Sequence, residues 1–406
     1  MATEPPIGGE VNHRRARLAV AALFFSNGAL FATLLPRYPE IKSDLGMSNA
    51  GFGAAVAAFS AGALLAGMAA AVLIRRFGSA RVALATTMLL AGFIVAAGMA
   101  PAPLLFAGAL FVAGASDGVT DVAQNVNGLR LQRLYGRSII NSLHAVWAVG
   151  AIVGGLTGAA AIALHIPRGG HLVGAATLFC GLVIVAYPHL LPGADHDEHP
   201  SAGRAGDRPV PSAVWVTLAA LVGIAVAGAT VEDAGSSWAT LYLRDSLGAP
   251  GPVAALGYVA LVGSMFVGRL LGDRLVDRFG DRAVTRAGGV VAAAGMGAAL
   301  AFPSVPGTIA GFAAAGLGVA TVVPAAMRAA DELPGLRAGT GLTVLTWLMR
   351  VGFLGAPLLV GVVADTASLR VGLLGVPIAG VALVLLARAL TVRRGTTSGV
   401  APLDTP

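Results

Sequence analysis

The sequence contains little charge and almost no cysteine. Only 12% of its 406 residues are charged, whereas about 25% is usual in a soluble domain, and 56% are hydrophobic, which gives a mean hydropathy of +0.80. This balance excludes an ordinary soluble protein and predicts a membrane protein. The single cysteine, Cys180, lies in an apolar run. No disulfide can therefore form within the chain, and the residue is expected to be a small buried side chain.

Long apolar runs dominate what is present. A bilayer core about 30 Å thick requires about 20 apolar residues in each spanning helix. Twelve runs reach that length, with approximate spans 17–36, 52–74, 82–100, 104–128, 140–164, 171–191, 213–241, 253–276, 284–302, 306–329, 339–363 and 370–391. Because the runs are long and do not alternate, they indicate helices and not barrel strands. The sequence predicts an all-α membrane protein with twelve transmembrane helices.

The basic residues are distributed unevenly between the loops. With the N-terminus placed in the cytoplasm, 20 of the 27 lysines and arginines fall on the inner side, 5 fall on the outer side and 2 lie within helices. This bias follows the positive-inside rule and predicts cytoplasmic N- and C-termini in a bacterial cytoplasmic (inner) membrane. It also accounts for the pI of about 10.4, so nucleic acid is not expected as a partner.

A short motif occurs twice, 202 residues apart. Arg76-Phe77-Gly78 corresponds to Arg278-Phe279-Gly280, and each copy follows the second helix of its half. The sequence therefore predicts two six-helix pseudo-repeats. The expected organisation is an N-terminal tail (1–16), a first bundle (17–191), a polar cytoplasmic linker (192–212), a second bundle (213–391) and a C-terminal tail (392–406). His-Asp-Glu-His at 196–199 contains metal-ligand types, but adjacent residues on such a linker favour a solvated tether over a metal site.

Acidic residues within the predicted helices are candidates for proton coupling, because a charge at mid-bilayer costs about 2.5–3.5 kcal/mol. Asp117 and Asp121 are four residues apart on helix four, and Asn125 extends the same face. Two carboxylates that close repel each other when both are ionised, which makes the pair a candidate proton carrier. In helix seven we favour Glu232 over Asp233 as the carboxylate that faces inward, since neighbouring helical residues diverge by about 100°.

Further polar side chains are predicted to meet these acids. His144 is expected at the depth of Asp121, where it could share the proton, bind substrate or pack structurally. Arg350 lies near the midplane and requires either an anionic substrate or a buried ion pair with Asp117 or Glu232. Trp238 could line a cavity or belong to the aromatic belt at the membrane interface.

The chain resembles the major facilitator superfamily over its whole length. The loop Gly272-Asp-Arg-Leu-Val-Asp277-Arg278-Phe279-Gly280 is similar to the superfamily motif between helices two and three, whereas Arg75 stands where the first copy would have an aspartate. Segments 34–48, 121–125 and 232–238 resemble the fucose-permease-like, YbjJ-type branch. The resemblance implies a rocker-switch transporter with a central cavity lined mainly by helices 1, 4, 7 and 10. Helix one has Asn27 and lacks the aspartate found in sugar–proton symporters of that branch.

The resulting functional prediction is a proton-coupled secondary transporter that moves a small polar metabolite such as a sugar and uses no cofactor. Substrate binding is assigned to Asn27, Asn125, His144, Glu232, Trp238 and Arg350. Gating is assigned to Asp277, Arg278, Arg269 and Arg130. The alternatives are a proton-driven exporter of drugs or amphipathic compounds and, with less support, a channel or a membrane enzyme. The expected partners are the substrate, protons and the lipid bilayer, and the protein is expected to be a monomer.

Overall fold

The computed structural model describes residues 13–136, 139–191, 211–334, 336 and 339–390. These residues form helices and connecting turns, with no β-strand among them. Within this part of the chain, twelve helices are long and apolar enough to cross a membrane. We number them α1 (His13–Asp44), α2 (Asn49–Phe77), α3 (Ser79–Gly98), α4 (Pro103–Tyr135), α5 (Ile140–Ala163), α6 (Arg168–His189), α7 (Ser212–Ser246), α8 (Gly251–Phe279), α9 (Asp281–Ala301), α10 (Val305–Asp331), α11 (Thr340–Thr366) and α12 (Leu369–Ala389).

The prediction of twelve transmembrane helices is confirmed, but the first helix is longer than predicted. A 3₁₀ turn at Leu35–Arg37 leads into a further helix, Tyr38–Asp44, where the sequence indicated a polar loop. Most of the charges there find partners within the first half of the molecule, whereas Lys42 Nζ lies 3.9 Å from Asp245 Oδ2 of the second half. Arg37 is buried and donates to Glu40 Oε2 (3.0 Å) and to the carbonyl of Ile166 (2.7 Å). These bonds offset the cost of removing the guanidinium from water.

Several helices change their winding within a continuous apolar run. In α7, π-helical turns occupy Ala234–Trp238 and Tyr242–Ser246. In α10, the α-helix Val305–Val319 is followed by a second one, Val322–Asp331. Hydropathy alone cannot predict such changes, because it measures how apolar a segment is and not how its backbone is wound. Local π-helical turns are common at functional sites, and the first of these lies beside the cavity described below.

The two halves of the chain, α1–α6 and α7–α12, repeat the same local structure. Helices α2 and α8 each have 29 residues and begin and end 202 positions apart. Gly78 (φ 83°) and Gly280 (φ 80°) end these helices, and Gly46 (φ 58°) and Gly248 (φ 67°) precede them. These positive φ values favour glycine, so the turn chemistry is the same in both halves. The predicted pair of six-helix repeats is confirmed.

Glycines allow the helices to approach closely. In α5, a Cβ at Gly150 would overlap the carbonyl of Phe25, and one at Gly154 would overlap the carbonyl of Ala29. A Cβ at Gly158 would overlap the ring of Pro36. The small-residue stripe of α5 therefore packs against α1.

The bundle has two chemically different ends. We call the end where α2 and α8 finish, with Arg75, Arg76 and Arg278, the arginine-rich end, and the opposite one the arginine-poor end. The predicted linker 192–212 and C-terminal tail 392–406 lie almost wholly outside the described residues, so their boundaries stay predictions.

Candidate functional site

A cavity of about 280 Å³ lies between the two halves. The first half contributes one wall and the second half the other. Four carboxylates and one guanidinium are among the lining groups. The lining residues are Phe31, Leu35, Tyr38, Val56, Phe59, Ser60, Ala63, Leu64, Asp117, Gly118, Asp121 and Trp147 from the first half, and Glu232, Asp233, Ser236, Ser237, Arg350 and Phe353 from the second.

Asp117 is held by a hydrogen-bond chain that crosses three helices. Asn27 Nδ2 donates to Asp117 Oδ1 at 2.7 Å, and Trp147 Nε1 donates to Asn27 Oδ1 at 2.7 Å. Asn27 is buried, with 3% of its surface exposed. Its amide thus uses both its donor and its acceptor side, which fixes the orientation of the carboxylate. The structure brings Asn27 and Asp117 together, whereas sequence analysis did not identify Trp147.

Asp121 and His144 are connected through Asn125. Asn125 Nδ2 donates to Asp121 Oδ1 at 3.0 Å, and His144 Nε2 lies 3.2 Å from Asn125 Oδ1. Because an amide oxygen only accepts, this arrangement places the proton of the imidazole on Nε2. The histidine and the aspartate lie at similar depth, as predicted, but an amide stands between them. His144 also packs edge-on against Phe24, with ring centroids 5.2 Å apart.

Arg350 reaches from the second half toward the acids of the first. Its guanidinium interacts electrostatically with Asp117 and Asp121. Its Nη1 also lies close to α2, since a Cβ added to Gly67 would be 3.0 Å from that atom. Among the described residues it forms no direct ion pair with either aspartate or with Glu232. The arginine therefore faces the acidic stripe across the cavity and leaves space between them.

Helix α7 contributes two neighbouring carboxylates to the cavity. We expected Glu232 to face inward and Asp233 to point away, but both line the cavity. The cavity follows a wide sector of α7 that continues into the first π-helical turn through Ser236 and Ser237. Asp233 is buried, and Ser237 Oγ donates to its Oδ1 at 2.9 Å. Its Oδ2 is buried and has no hydrogen-bond partner.

Trp238 lies outside the cavity lining. It is fully buried and packs edge-on against Phe52, with ring centroids 5.5 Å apart. Tyr38 packs on the other side of Phe52, at 5.1 Å. Together these rings form an aromatic layer between the cavity and the arginine-poor end. Trp238 therefore lies in a buried contact between the two halves. The sequence suggested the cavity lining or the aromatic belt at the membrane interface, and the structure places it in neither.

The two halves also contact each other directly at the arginine-poor end. Asp365 on α11 accepts hydrogen bonds from the backbone N–H groups of Asn49 (2.9 Å) and Ala50 (2.7 Å), which begin α2. A Cβ on Gly53 would overlap the carbonyl of Pro357, so the backbones of these two helices touch there. Toward the other end, His144 is exposed. The cavity is closed at the arginine-poor end and opens toward the arginine-rich end.

The residues assigned to gating lie at or near the arginine-rich end and are not among the lining residues of the cavity. Asp277 and Arg278 are exposed, and Arg278 lies over the ring of Phe279 at 5.4 Å. Arg269 is exposed and interacts electrostatically with His144 of the first half. Arg130 is half-buried at the end of α4.

One contact at the arginine-rich end was not anticipated from the sequence. Arg328 Nη2 pairs with Asp281 Oδ1 at 2.8 Å and joins α10 to the start of α9. Both residues lie near helix ends that carry several charges, and no spacing rule indicates which of these charges pair.

No metal centre is formed by the described residues, among which no three histidine, cysteine, aspartate or glutamate side chains come together. The His-Asp-Glu-His segment at 196–199 lies outside them.

Comparisons with known proteins agree with this architecture. A family model for the Major Facilitator Superfamily matches residues 20–275. Membrane protein MosC of Rhizobium meliloti is 30% identical over 383 residues, which cover 93% of this chain and 91% of that protein. An uncharacterised transporter of Sinorhizobium fredii, y4wD, is 32% identical over 356 residues, covering 86% and 92% respectively.

Solved structures with the same fold are more distant in sequence. A bacterial homologue of the human lysosomal transporter Spinster, in an inward-facing and occupied conformation, superposes with a TM-score of 0.72 at 15% identity, covering 94% of this chain and 97% of that one. The E. coli fucose:proton symporter FucP gives 0.60 at 18% identity, covering 92% and 98%. At these identities the likeness shows the fold alone, so the fucose-permease-like branch stays a prediction.

Proposed function

The chain belongs to the Major Facilitator Superfamily of membrane transporters, and from that premise we propose that it moves a small polar metabolite, such as a sugar, by proton-coupled alternating access. Three features support this proposal: the cavity between two repeated halves, its buried acids and its closure at one end. Each chain has its own cavity, which supports a monomer as the working unit.

The distribution of arginines supports an orientation with the arginine-rich end in the cytoplasm. In that orientation both termini are cytoplasmic and the protein lies in the bacterial inner membrane. The cavity would then open to the cytoplasm, and the aromatic layer and Asp365 would close the outer side.

The observation that carries the coupling proposal is the position of Arg350 opposite Asp117 and Asp121. The arginine belongs to one half and the two acids belong to the other. A proton on either carboxylate removes a negative charge from this set and weakens the attraction between the halves at the level of the cavity. Proton binding would therefore change the energy difference between the two open states, which is the requirement for coupling.

We expect Asp121→Asn to abolish uptake against a gradient and to retain exchange of labelled solute. Moving one charge down 100 mV supplies about 2.3 kcal/mol, enough for a roughly fifty-fold gradient, so one titrating carboxylate suffices. Proteoliposomes containing a pH-sensitive dye would be tested with a panel of neutral sugars, polyols and amines. The wild type should move protons when its substrate is added, and Asp121→Asn should not.

A matched control is Asp331→Asn, which removes an exposed carboxylate outside the cavity lining. This variant should behave as the wild type. Full accumulation by Asp121→Asn would contradict the assignment of the proton to α4.

A second candidate function is proton-driven export of amphipathic compounds. The observation in its favour is the aromatic lining of the cavity, in which rings come from both halves. The two functions differ in the direction of proton movement. An importer takes up protons together with solute, whereas an exporter exchanges them, so the sign of the dye response separates the two.

A further inference from the structure

We infer that the substrate carries a protonated amine, and that Glu232 and Asp233 of α7 bind that cation while the acids of α4 serve the proton. This inference deepens the proposed function and rests on the cavity being the transport site. It divides four carboxylates of one cavity into two pairs with different tasks.

The first support is the balance of charge around the cavity. Asp117 has Asn27 as a hydrogen-bond donor, Asp121 has Asn125, and both face Arg350. On α7, Asp233 has Ser237 as a donor, but no lysine or arginine among the described residues pairs with Asp233 or with Glu232. An excess of negative charge in a site of low dielectric favours a cationic ligand over a neutral one or an anion.

The second support is the unused oxygen of Asp233. Asp233 lines the cavity and is 7% exposed, and Ser237 holds its Oδ1 at 2.9 Å, while Oδ2 is buried and accepts no hydrogen bond. A buried carboxylate oxygen without a donor is costly, and native structures rarely retain one without a reason. An ammonium group supplies both the missing N–H donor and the missing positive charge.

The third support is the character of the remaining walls. Phe31 and Phe59 are in contact, with ring centroids 5.2 Å apart, and Tyr38, Trp147 and Phe353 also line the cavity. Aromatic faces attract organic cations within about 6 Å and favour them over strongly hydrated metal ions. A volume of about 280 Å³ limits the ligand to a small molecule. A small organic amine fits all three observations.

The test compares amines with neutral molecules of matched shape. Thermal stabilisation of the full-length protein in detergent would be measured with glucosamine against glucose, phenylethylamine against phenylethanol, and putrescine against butanediol. Ligands that bind the folded state raise its stability by mass action. At least one amine should stabilise the wild type at concentrations where its neutral counterpart does not.

Variants then assign the cation to α7. Asp233→Asn keeps an acceptor for Ser237 and removes the charge, so the amine concentration needed for half-maximal stabilisation should rise by about tenfold or more. The control Asp331→Asn, which removes an exposed carboxylate outside the cavity lining, should leave that concentration within about twofold. Sodium chloride in place of the amines tests whether a metal cation alone occupies the site.

Each other outcome overturns the inference. These outcomes are stabilisation by no amine, equal stabilisation by the neutral counterparts, equal stabilisation by sodium, or an amine preference that survives Asp233→Asn. Because binding is measured without transport, its result is separate from that of the proteoliposomes. Solute-driven proton movement without an amine preference would retain the proposed function and remove this inference. Amine binding without proton movement would retain the cation site on α7 and remove the proton coupling.

Discussion

Asn27 is the side chain through which α1 reaches the acidic stripe of α4. It donates to Asp117 and accepts from Trp147, both at 2.7 Å. In the membrane interior such bonds have no water to replace them, so both partners depend on this one amide. Asn27 therefore determines the position of the carboxylate as well as its hydrogen bonding.

We predict that Asn27→Leu lowers thermal stability and impairs transport. Leucine has a similar volume, but it leaves Asp117 Oδ1 and Trp147 Nε1 without partners, and each buried unpaired group costs about 1–3 kcal/mol. The neighbouring Ser26→Ala is a matched control, because Ser26 Oγ is buried and has no hydrogen-bond partner. Unfolding followed by tryptophan fluorescence should show a lower midpoint for Asn27→Leu only. Equal midpoints for both variants would mean that the chain through Asn27 is not stabilising.

For single residues, the sequence predicts which helix positions carry functional groups, but it does not predict which side chains these groups contact. The four-residue spacing of Asp117, Asp121 and Asn125 predicts one face, and the structure brings that face to the cavity. The amide between Asp121 and His144 could not be predicted, because it depends on how α4 and α5 rotate against each other. Trp238 shows the same limitation, since an apolar aromatic carries no signal that separates a cavity from a buried contact.

Helices α2 and α4 touch through glycines, and this contact positions the acidic stripe. A Cβ on Gly62 would overlap the carbonyl of Phe111, and one on Gly114 would overlap the carbonyl of Phe59. At both positions the added Cβ would meet backbone atoms, so movement of a flexible side chain could not relieve the clash. Asp117 lies one turn after Gly114, and its depth in the cavity follows from this packing.

We predict that Gly114→Ala destabilises the protein, whereas Gly108→Ala on the same helix does not. A Cβ at Gly108 meets nothing within 4 Å, so alanine there removes backbone freedom without a clash and can stabilise by about 0.4–1 kcal/mol. At Gly114 the added methyl group must push α2 and α4 apart. Melting midpoints from size-exclusion chromatography of heated samples would test this difference. Similar midpoints for the two variants would contradict the packing argument.

Helix number and approximate length follow from the sequence because hydropathy and bilayer thickness determine them. The structure differs from this prediction where polar groups find their hydrogen-bond partners in tertiary contacts. Residues 37–44 form a helix because Arg37 finds Glu40 and the carbonyl of Ile166. The π-helical turns of α7 depend on packing against neighbouring helices, and no periodicity in the sequence predicts them.

For the molecule as a whole, the contact between Asp365 and the start of α2 joins the two halves when the arginine-poor end is closed. The carboxylate accepts from two backbone N–H groups at a helix N-terminus, where the helix dipole favours a negative charge. Because Asp365 is exposed to water, its contribution is modest and salt-dependent. A modest energy is still sufficient to shift a balanced equilibrium between two open states.

We therefore predict that Asp365→Ala opens the arginine-poor end more often. Thr240→Cys provides the reporter, since Thr240 is 3% exposed and lies near that end. In a Cys180→Ala background, the labelling rate of this cysteine should rise a few-fold in Asp365→Ala. Ser304→Ala is the control, because Ser304 caps α10 at the same end of the bundle by accepting from Gly307 within one half. An equal rise in the control would assign the effect to loss of the helix cap.

The motif at the arginine-rich end should act in the opposite direction. If Asp277 and Arg278 make stronger contacts in the state in which that end is closed, Asp277→Asn destabilises that state more and increases the population described here. A charge-assisted contact screened by solvent contributes about 1.5 kcal/mol or less, so the shift is at most about tenfold. Leu129→Cys on α4 reports this opening, because it continues the face of Asp121 and is exposed.

In the same Cys180→Ala background, Asp277→Asn should raise the labelling rate of Leu129→Cys and lower that of Thr240→Cys. Arg75→Ala should change both rates little, since the first repeat has an arginine where the motif has its aspartate. Asp277→Asn and Asp365→Ala should therefore change the two labelling rates in opposite directions. This is expected because the two ends of the cavity are not closed in the same state. Equal responses to Asp277→Asn and Arg75→Ala would mean that the charges at this end serve only to orient the protein in the membrane.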